Sequence, residues 1–264
     1  MRYIRHLTDN GPAWATLTAD GDTKAVKGDL FDAPEVTDQH VTPTRILAPI
    51  QPTNILGIGL NYRQHAAEGK KKVPERPMWF VKTTAALQHP GDPIVLPESS
   101  QKVDYEGELA IVIGRDAKNV APADAIDYVL GYTIAIDVSA RDWQFELGGG
   151  QFNHAKSFDT FCPLGPFLVD PTELPDPNNL RLTTRVNGEI RQDASTADMV
   201  FDVRTLISFL SADRTLPAGT VILTGTPEGV GYARNPPLWL ADGDTVEVDI
   251  EGIGRLSNPV VKAS

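Results

Sequence analysis

Two carboxylates separated by one residue stand before an apolar run, in the segment Val103-Asp104-Tyr105-Glu106-Gly107-Glu108-Leu109. Side chains at positions i and i+2 of a β-strand lie on the same face, so a strand here would place Glu106 and Glu108 side by side. Like charges repel, and a protein that points both inward must compensate them with a cation. Oxygen ligands alone favour Mg²⁺, Mn²⁺ or Ca²⁺. The spacing therefore indicates a candidate metal site.

Asp137 is a candidate third ligand for this site. It ends an apolar strand predicted over residues 128–136, where an isolated charge would be costly unless it is paired. In the alternative interpretation, Glu106 and Glu108 lie on a solvated edge and Asp137 caps a helix that begins at Ser139. The spacing alone leaves both interpretations open.

His65 and Glu68 form a second candidate pair. Their spacing would stack the two side chains on one face of a helix. A carboxylate beside an imidazole fixes its tautomer and raises its basicity, which suits proton transfer or activation of water near neutral pH. The alternative is an exposed pair on a helix surface. In either case the lysine-rich stretch 69–72 predicts a mobile, solvated loop, and such a loop can act as a lid.

The elements that must position these groups are mostly short strands. Runs rich in β-branched residues and bounded by Gly or Pro predict a mainly β fold with few helices, an α+β arrangement. The 22 glycines and 21 prolines favour many turns over a doubly wound sheet. The predicted strands are 55–60, 109–113, 129–137, 180–186, 220–223, 245–250 and 256–261; the predicted helices are 203–210, with Asp202 as N-cap, and short pieces at 121–128 and 139–147.

Residues 1–50 are predicted to form a small β-rich domain ahead of a catalytic domain at 51–264. The stretches 14–18 and 23–26 flank Asp20-Gly21-Asp22, a turn that is typical of a β-hairpin. Prolines then interrupt the chain before the first strand of the main body.

Composition excludes several classes of protein. There are 24 Lys and Arg against 35 Asp and Glu, a formal net charge of −11, which argues against a nucleic-acid partner. The single cysteine, Cys162, cannot form an internal disulfide. The first ten residues lack an apolar signal region, and no apolar run is long enough for a bilayer span. We therefore expect a cytoplasmic protein with no membrane partner.

Taken together, these segments resemble the fumarylacetoacetate hydrolase (FAH) superfamily over about residues 50–262. Seven motifs occur in the order typical of that family. They are Gly59-Leu60-Asn61-Tyr62 with His65 and Glu68; Gly91-Asp92-Pro93-Ile94-Val95-Leu96-Pro97; Asp104-Tyr105-Glu106-Gly107-Glu108-Leu109; Gly131-Tyr132-Thr133; Asp137-Val138-Ser139-Ala140-Arg141-Asp142; Lys156-Ser157-Phe158-Asp159-Thr160-Phe161; and Thr224-Gly225-Thr226-Pro227.

The resemblance implies a mixed β-roll specific to the family, a homodimer, and one divalent ion, Mg²⁺ or Mn²⁺. It also implies a role for each matching side chain. These roles are metal ligation by Glu106, Glu108 and Asp137; acid–base chemistry by His65 and Glu68 on a short helix that orders over the substrate; an active-site lysine at Lys156; and substrate contacts by Arg141, Gln144 and Thr226.

The resemblance further implies the reaction. Substrates of the family are small 2-oxo or β-diketo acids that chelate a metal through a carboxylate and a neighbouring keto oxygen. Cleavage of a carbon–carbon bond beside the ketone leaves an enolate, whose charge the metal and Lys156 would stabilise. We therefore expect an acylpyruvate-type hydrolase or an oxaloacetate-type decarboxylase.

Two alternatives to bond cleavage stay open. One is the isomerase or hydratase chemistry of aromatic meta-cleavage pathways, which similar proteins perform. The pair His65 and Glu68 favours cleavage, since tautomerisation asks less of a water-activating dyad. The other is a noncatalytic, metal-dependent ligand-binding protein, because Ile136 stands before Asp137 where relatives often carry a polar residue.

Overall fold

The computed structural model describes residues 1–18 and 21–263. Most regular structure in these ranges is β, which confirms the predicted mainly β fold. The strands are β1 (Arg2–Thr8), β2 (Gly11–Leu17), β3 (Thr23–Asp29), β4 (Asp32–His40), β5 (Ile46–Leu47), β6 (Asn54–Gly59), β7 (Met78–Lys82), β8 (Leu87–Gln88), β9 (Ile94–Leu96), β10 (Val103–Asp104), β11 (Gly107–Ile113), β12 (Ala117–Lys118), β13 (Val129–Ile136), β14 (Ser139–Ala140), β15 (Cys162–Val169), β16 (Arg181–Val186), β17 (Glu189–Ser195), β18 (Thr215–Leu216), β19 (Thr220–Leu223), β20 (Thr245–Ile250) and β21 (Gly254–Lys262).

The helices are short and lie at the periphery of the sheets. The α-helices are α1 (Arg63–Glu68), α2 (Asn153–Lys156) and α3 (Val203–Ser211); 3₁₀ turns cover Thr84–Ala86, Pro122–Tyr128, Thr196–Asp198 and Gly231–Ala233, and a π-helical turn covers Trp143–Leu147. The predicted cap of α3 is confirmed, since the Asp202 carboxylate accepts a hydrogen bond from the backbone N of Thr205 at 2.8 Å. The helices in the described ranges all fall short of the length and apolarity that a bilayer span requires.

One large mixed sheet organises the molecule, with strand order β4-β3-β2-β1-β15-β13-β11-β19-β6-β7. The predicted hairpin near the N-terminus forms between β2 and β3, with Trp14 opposite Val26. Asp20 of its predicted turn lies outside the described residues. The N-terminal strands extend the large sheet through the antiparallel pairing of β1 with β15. The division of the chain near residue 50 stays a prediction.

A second sheet, β17-β16-β20-β21-β9, packs across the centre of the large one. Every residue of β11 is buried in this packing. The approach is closest at Gly107, where an added Cβ would collide with the side chain of Thr184 on β16. A glycine between Glu106 and Glu108 is therefore required by packing.

Two features of the local structure differ from the sequence predictions. The helix predicted at 139–147 is wrong in its first part, because Ser139–Ala140 pairs as a strand with Val103–Asp104 and helical structure begins only at Arg141. Strand β15 was not predicted, since Pro163, Gly165 and Pro166 are typical of a loop. Tertiary packing between β1 and β13 overrides those local preferences.

Candidate active site

The three carboxylates suggested by spacing converge at one end of the central strands. Glu106 directly precedes β11, Glu108 lies within it, and Asp137 follows its neighbour β13. Each offers an oxygen within 4.8 Å of an oxygen of the other two, and all three side chains are buried. The interpretation of a solvated edge is thereby wrong. A buried set of three oxygen ligands fits a hard divalent cation.

Three cationic side chains compensate this cluster. The Lys156 ammonium, on α2, donates to Glu106 Oε2 at 2.6 Å and to Asp137 Oδ2 at 2.7 Å. Lys82 donates to the other oxygen of Asp137 at 2.5 Å. The guanidinium of Arg141 lies 2.6 Å from Glu106 Oε1. Burial alone would lower the pKa of Lys156, but the carboxylates of Asp137 and Glu106 raise it, so its ammonium stays charged.

Asp104 is a further buried carboxylate of the site, and it contacts Arg141. It accepts a hydrogen bond from Arg141 Nε at 2.8 Å, and so holds the guanidinium in place against Glu106. The other side of the guanidinium donates to Gln144 Oε1 at 2.7 Å. Arg141 is therefore fixed from three directions, and its planar donor fork is directed by the protein before any ligand arrives.

The net charge of the buried cluster suits the binding of a divalent ion together with an anion. The buried ionisable groups of the cluster are the carboxylates Asp104, Glu106, Glu108 and Asp137 and the cations Lys82, Arg141 and Lys156. With all of them ionised the cluster carries one net negative charge. A divalent ion would convert it to one net positive charge, which a single substrate carboxylate would neutralise.

The protein shifts the pKa values of Glu108 and Glu106 in opposite directions. Burial, together with the nearby carboxylates of Asp137 and Glu106, raises the pKa of Glu108 well above its usual value. Burial acts the same way on Glu106, but Arg141 and Lys156 outweigh it and bring the pKa of Glu106 below its usual range. Of these two carboxyls, Glu108 is therefore the one that takes up a proton more readily in the metal-free protein.

A glycine-rich loop after β19, residues 224–231, ties the carboxylates together through its backbone. Three of its N–H groups donate to them. They are Gly225 N to Glu108 Oε2 at 2.6 Å, Gly229 N to Glu68 Oε1 at 3.0 Å, and Gly231 N to Asp104 Oδ1 at 2.8 Å. The positive φ of 96° at Gly225 and the 2.8 Å approach of Asn61 to its virtual Cβ require glycine there.

The predicted dyad forms on α1. His65 Nδ1 lies 3.3 Å from Glu68 Oε2, and the two side chains are 14% and 23% exposed. Glu68 is held from its other oxygen by Gly229, so the carboxylate has a fixed orientation toward the imidazole. This pairing leaves Nε2 as the ring nitrogen that Glu68 does not engage.

A cavity of about 410 Å³ opens above the cluster. Seven of the nine predicted site residues line it, and the other two, Glu68 and Asp137, each contact one of the seven, His65 and Lys156. The seven are His65, Glu106, Glu108, Arg141, Gln144, Lys156 and Thr226. The structure therefore brings the predicted residues together in one place, while their individual roles stay predictions.

Lys82 and Asp104 were not assigned a role from the sequence. A signal for Lys82 exists, because the alternation of β7 buries Phe80 and Lys82 on one face and a lysine at such a position needs a partner. For Asp104 the signal is its i, i+2 relation to Glu106. In both cases the partner is distant in the chain, with Asp137 lying 55 positions after Lys82.

We expect Lys82→Met to destabilise the metal-free protein more than the metal-loaded one. Removing one member of a buried ion pair costs about 3–5 kcal/mol when the other charge is left uncompensated, and Lys156, which Asp137 shares with Glu106, would compensate Asp137 only in part. A bound divalent ion would supply the missing positive charge to Asp137. Unfolding measured in chelator and in saturating Mg²⁺ checks this, with Lys118→Met, which changes an exposed lysine of β12, as the control. Equal losses in the two conditions would contradict it.

Metal binding should release about one proton where Glu108 is protonated in the metal-free protein. The pKa of Glu108 is raised in the folded, metal-free protein. Protonation of this carboxyl therefore contributes stability at pH values below the ordinary glutamate pKa, and the contribution is lost as the pH rises through the folded-state pKa. Metal affinity should increase over the same pH window. Calorimetric titration in two buffers of different ionisation enthalpy measures the released proton, and a release near zero throughout would be inconsistent with a protonated Glu108.

The fold and the site define a mainly β protein with a buried carboxylate–lysine centre under a cavity. The family model described as fumarylacetoacetate (FAA) hydrolase C-terminal matches residues 54–261. A protein of Xenopus laevis named oxaloacetate tautomerase fahd2, mitochondrial, is 48% identical over 229 residues, which are 85% of this chain and 72% of that protein. The chain therefore belongs to the fumarylacetoacetate hydrolase family.

Solved structures with the same fold carry names from different reactions. The 5-carboxymethyl-2-hydroxymuconate delta-isomerase of Mycobacterium smegmatis is 43% identical with a TM-score of 0.87, and each chain is covered to 100%. The fumarylacetoacetate hydrolase of Exiguobacterium antarcticum is 38% identical with a TM-score of 0.86, again with 100% of each chain covered. The relatives are thus enzymes of more than one reaction type.

Proposed function

We propose that this protein is a divalent-metal-dependent enzyme that forms and discharges the enolate of a 2-oxo acid. The observation that carries the proposal is the buried triad of carboxylates, with Lys156 between two of them, at the floor of a cavity. The donor set is all oxygen, which fits Mg²⁺ or Mn²⁺. Glu106, Glu108 and Asp137 are the residues that would hold the ion.

The charged residues beside the triad would bind and orient the acid. When bound, the ion supplies a Lewis acid that polarises the 2-oxo group. Arg141, fixed by Asp104 and Gln144, presents cationic donors to the substrate carboxylate. Lys156 places an ammonium where negative charge develops on the enolate oxygen. A buried group that is already oriented needs no reorganisation during the reaction.

The dyad on α1 would move the proton. Glu68 fixes the imidazole of His65 through Nδ1, and Nε2 is then the atom that takes a proton from the carbon next to the 2-oxo group or returns it. The same pair could instead take a proton from water. Both reactions need the dyad at the cavity wall, where His65 lies.

We infer keto–enol tautomerisation of an oxaloacetate-like acid as the first reaction to test. Its support is the 48% identity to a protein named as an oxaloacetate tautomerase. The proton transfer that it requires matches the dyad. Carbon–carbon bond cleavage, as an acylpyruvate-type hydrolase or oxaloacetate-type decarboxylase, is the second candidate. The observation that favours it is the hydrogen-bonded His65–Glu68 pair, which is also suited to activate water.

The experiment follows the enol absorbance of oxaloacetate and of an acylpyruvate, with nuclear magnetic resonance of the products in parallel. Removal of metal by chelator should stop the loss of the enol absorbance. Addition of Mg²⁺ to the stripped protein should restart that loss. Oxaloacetate that ketonises without loss of carbon dioxide indicates a tautomerase, and pyruvate as product indicates cleavage. Metal-loaded protein that binds these acids and turns over none of them would contradict the proposal and favour a ligand-binding protein.

Two further proposals come from the sequence and the family resemblance. We propose a homodimer, which light scattering on the purified protein would show. We also propose a cytoplasmic location, although the Xenopus relative is named as mitochondrial.

A further inference from the structure

A lysine ammonium group at the mouth of the cavity has no role in the proposed chemistry. Lys71 follows α1 in the chain, is exposed, and lines the cavity. Its ammonium lies 5.3 Å from the centroid of the Phe145 ring. That ring in turn lies 5.2 Å from the ring of Tyr232, which also lines the cavity. The aromatic surface attracts the ammonium and holds it at the opening.

Lys71 differs from the lysines on either side of it. Lys72 also lines the cavity, but its ammonium pairs with the carboxylate of Glu75 at a distance of 3.0 Å. Lys70 is exposed and lies away from the cavity lining. Within the described part of the chain, no carboxylate lies within ion-pair distance of Lys71. Its charge is therefore available to an anion that enters the cavity.

The cavity is lined by charged groups at two places and by apolar side chains. The buried triad with Lys156 forms the inner end, and the exposed Lys71 lies at the mouth. Apolar side chains line the wall, among them Phe80 and Phe152. A volume of about 410 Å³ lies in the range that holds ligands much larger than a four-carbon acid. The cavity therefore has room for a longer substrate with a second polar end.

We propose that Lys71 recognises an anionic group at the far end of the substrate, so that the enzyme selects 2-oxo acids with a distal carboxylate over those with an uncharged tail. The inference rests on the proposed function, because it takes the 2-oxo acid end as bound at the triad. The net charge of −11 repels a dianion from the protein as a whole. A local cation at the mouth offsets that repulsion where the substrate enters.

The test compares ligand pairs that differ only in the charge of the tail. 2-Oxoglutarate is matched with 2-oxo-5-methylhexanoate, and 2-oxoadipate with 2-oxo-6-methylheptanoate, so that an isopropyl group replaces each distal carboxylate. Affinities are measured by calorimetry on the Mg²⁺-loaded protein, which makes the readout independent of turnover. The variants are Lys71→Gln and, as a matched control in the same loop, Lys70→Gln.

We expect the wild-type protein to bind at least one diacid roughly tenfold or more tightly than its uncharged partner, as a charge-assisted hydrogen bond predicts. Lys71→Gln should remove that preference and Lys70→Gln should keep it. The preference should also shrink with added salt. Equal affinity within both pairs, or a preference that survives Lys71→Gln, would overturn the inference and leave the proposed function standing. Failure of all four acids to bind would contradict the proposed function itself.

Discussion

Glu108→Gln should abolish turnover and metal binding while leaving the metal-free fold intact. In the metal-free protein the raised pKa favours the protonated form of Glu108, and a glutamine has nearly the same shape and charge as a protonated glutamate. Its amide oxygen can still accept the hydrogen bond from Gly225. The variant loses the anionic ligand that a divalent ion requires. Turnover should fall roughly a thousandfold or more, because the several kcal/mol that a bound ion supplies correspond to about three powers of ten.

The control for this prediction is Glu98→Gln, which removes an exposed carboxylate. Activity with a Mg²⁺ titration, Mg²⁺ binding by calorimetry, and unfolding in chelator should be measured on both variants. The unfolding free energy of metal-free Glu108→Gln should stay within about 0.5 kcal/mol of wild type, the range of a neutral substitution. Near-normal metal affinity in Glu108→Gln would show that Glu108 is not a metal ligand.

His65→Gln and Glu68→Gln should each lower kcat by roughly a hundredfold to ten-thousandfold, the usual contribution of a positioned acid or base. The two residues act as one unit, because Glu68 sets the tautomer of His65 across a 3.3 Å contact. The kcat of the double variant should therefore be only slightly below the kcat of the less active single variant. Metal affinity should not change, since neither residue belongs to the triad.

Gln64→Ala on the same short helix is the matched control, since that side chain is exposed. Steady-state kinetics for the three variants and the double variant, with metal binding in parallel, form the complete set. If His65→Gln kept wild-type kcat for every substrate that the enzyme turns over, proton transfer by this dyad would be ruled out.

The parts of the site that could be predicted from the sequence are those with a local signature. Glu106 and Glu108 share a face through their i, i+2 spacing, and His65 and Glu68 share one through a helical turn. A carboxylate at the end of an apolar strand, as at Asp137, signals a partner elsewhere. Each of these residues lies where the local pattern placed it.

What could not be predicted depends on contacts between distant segments. Lys82 meets Asp137 across 55 residues, and Arg141 meets Asp104 across 37. No periodicity within one segment encodes such a pair. Strand β15 shows the same limit for the fold, because its prolines and glycine favour a loop locally, while β1 and β13 pair with it on both sides. Packing between strands decides such cases.

The central claim is that Glu106, Glu108 and Asp137 hold a divalent ion to which the 2-oxo acid binds. A crystal structure with Mn²⁺ and oxalate, an unreactive mimic of the acid end, tests it most directly through the anomalous scattering of manganese. The claim predicts one anomalous peak within about 2.0–2.3 Å of an oxygen from each of the three carboxylates and of both oxalate ends. It would be contradicted by a peak elsewhere, or by an ammonium of Lys156 that still bridges Glu106 and Asp137 with no metal between them.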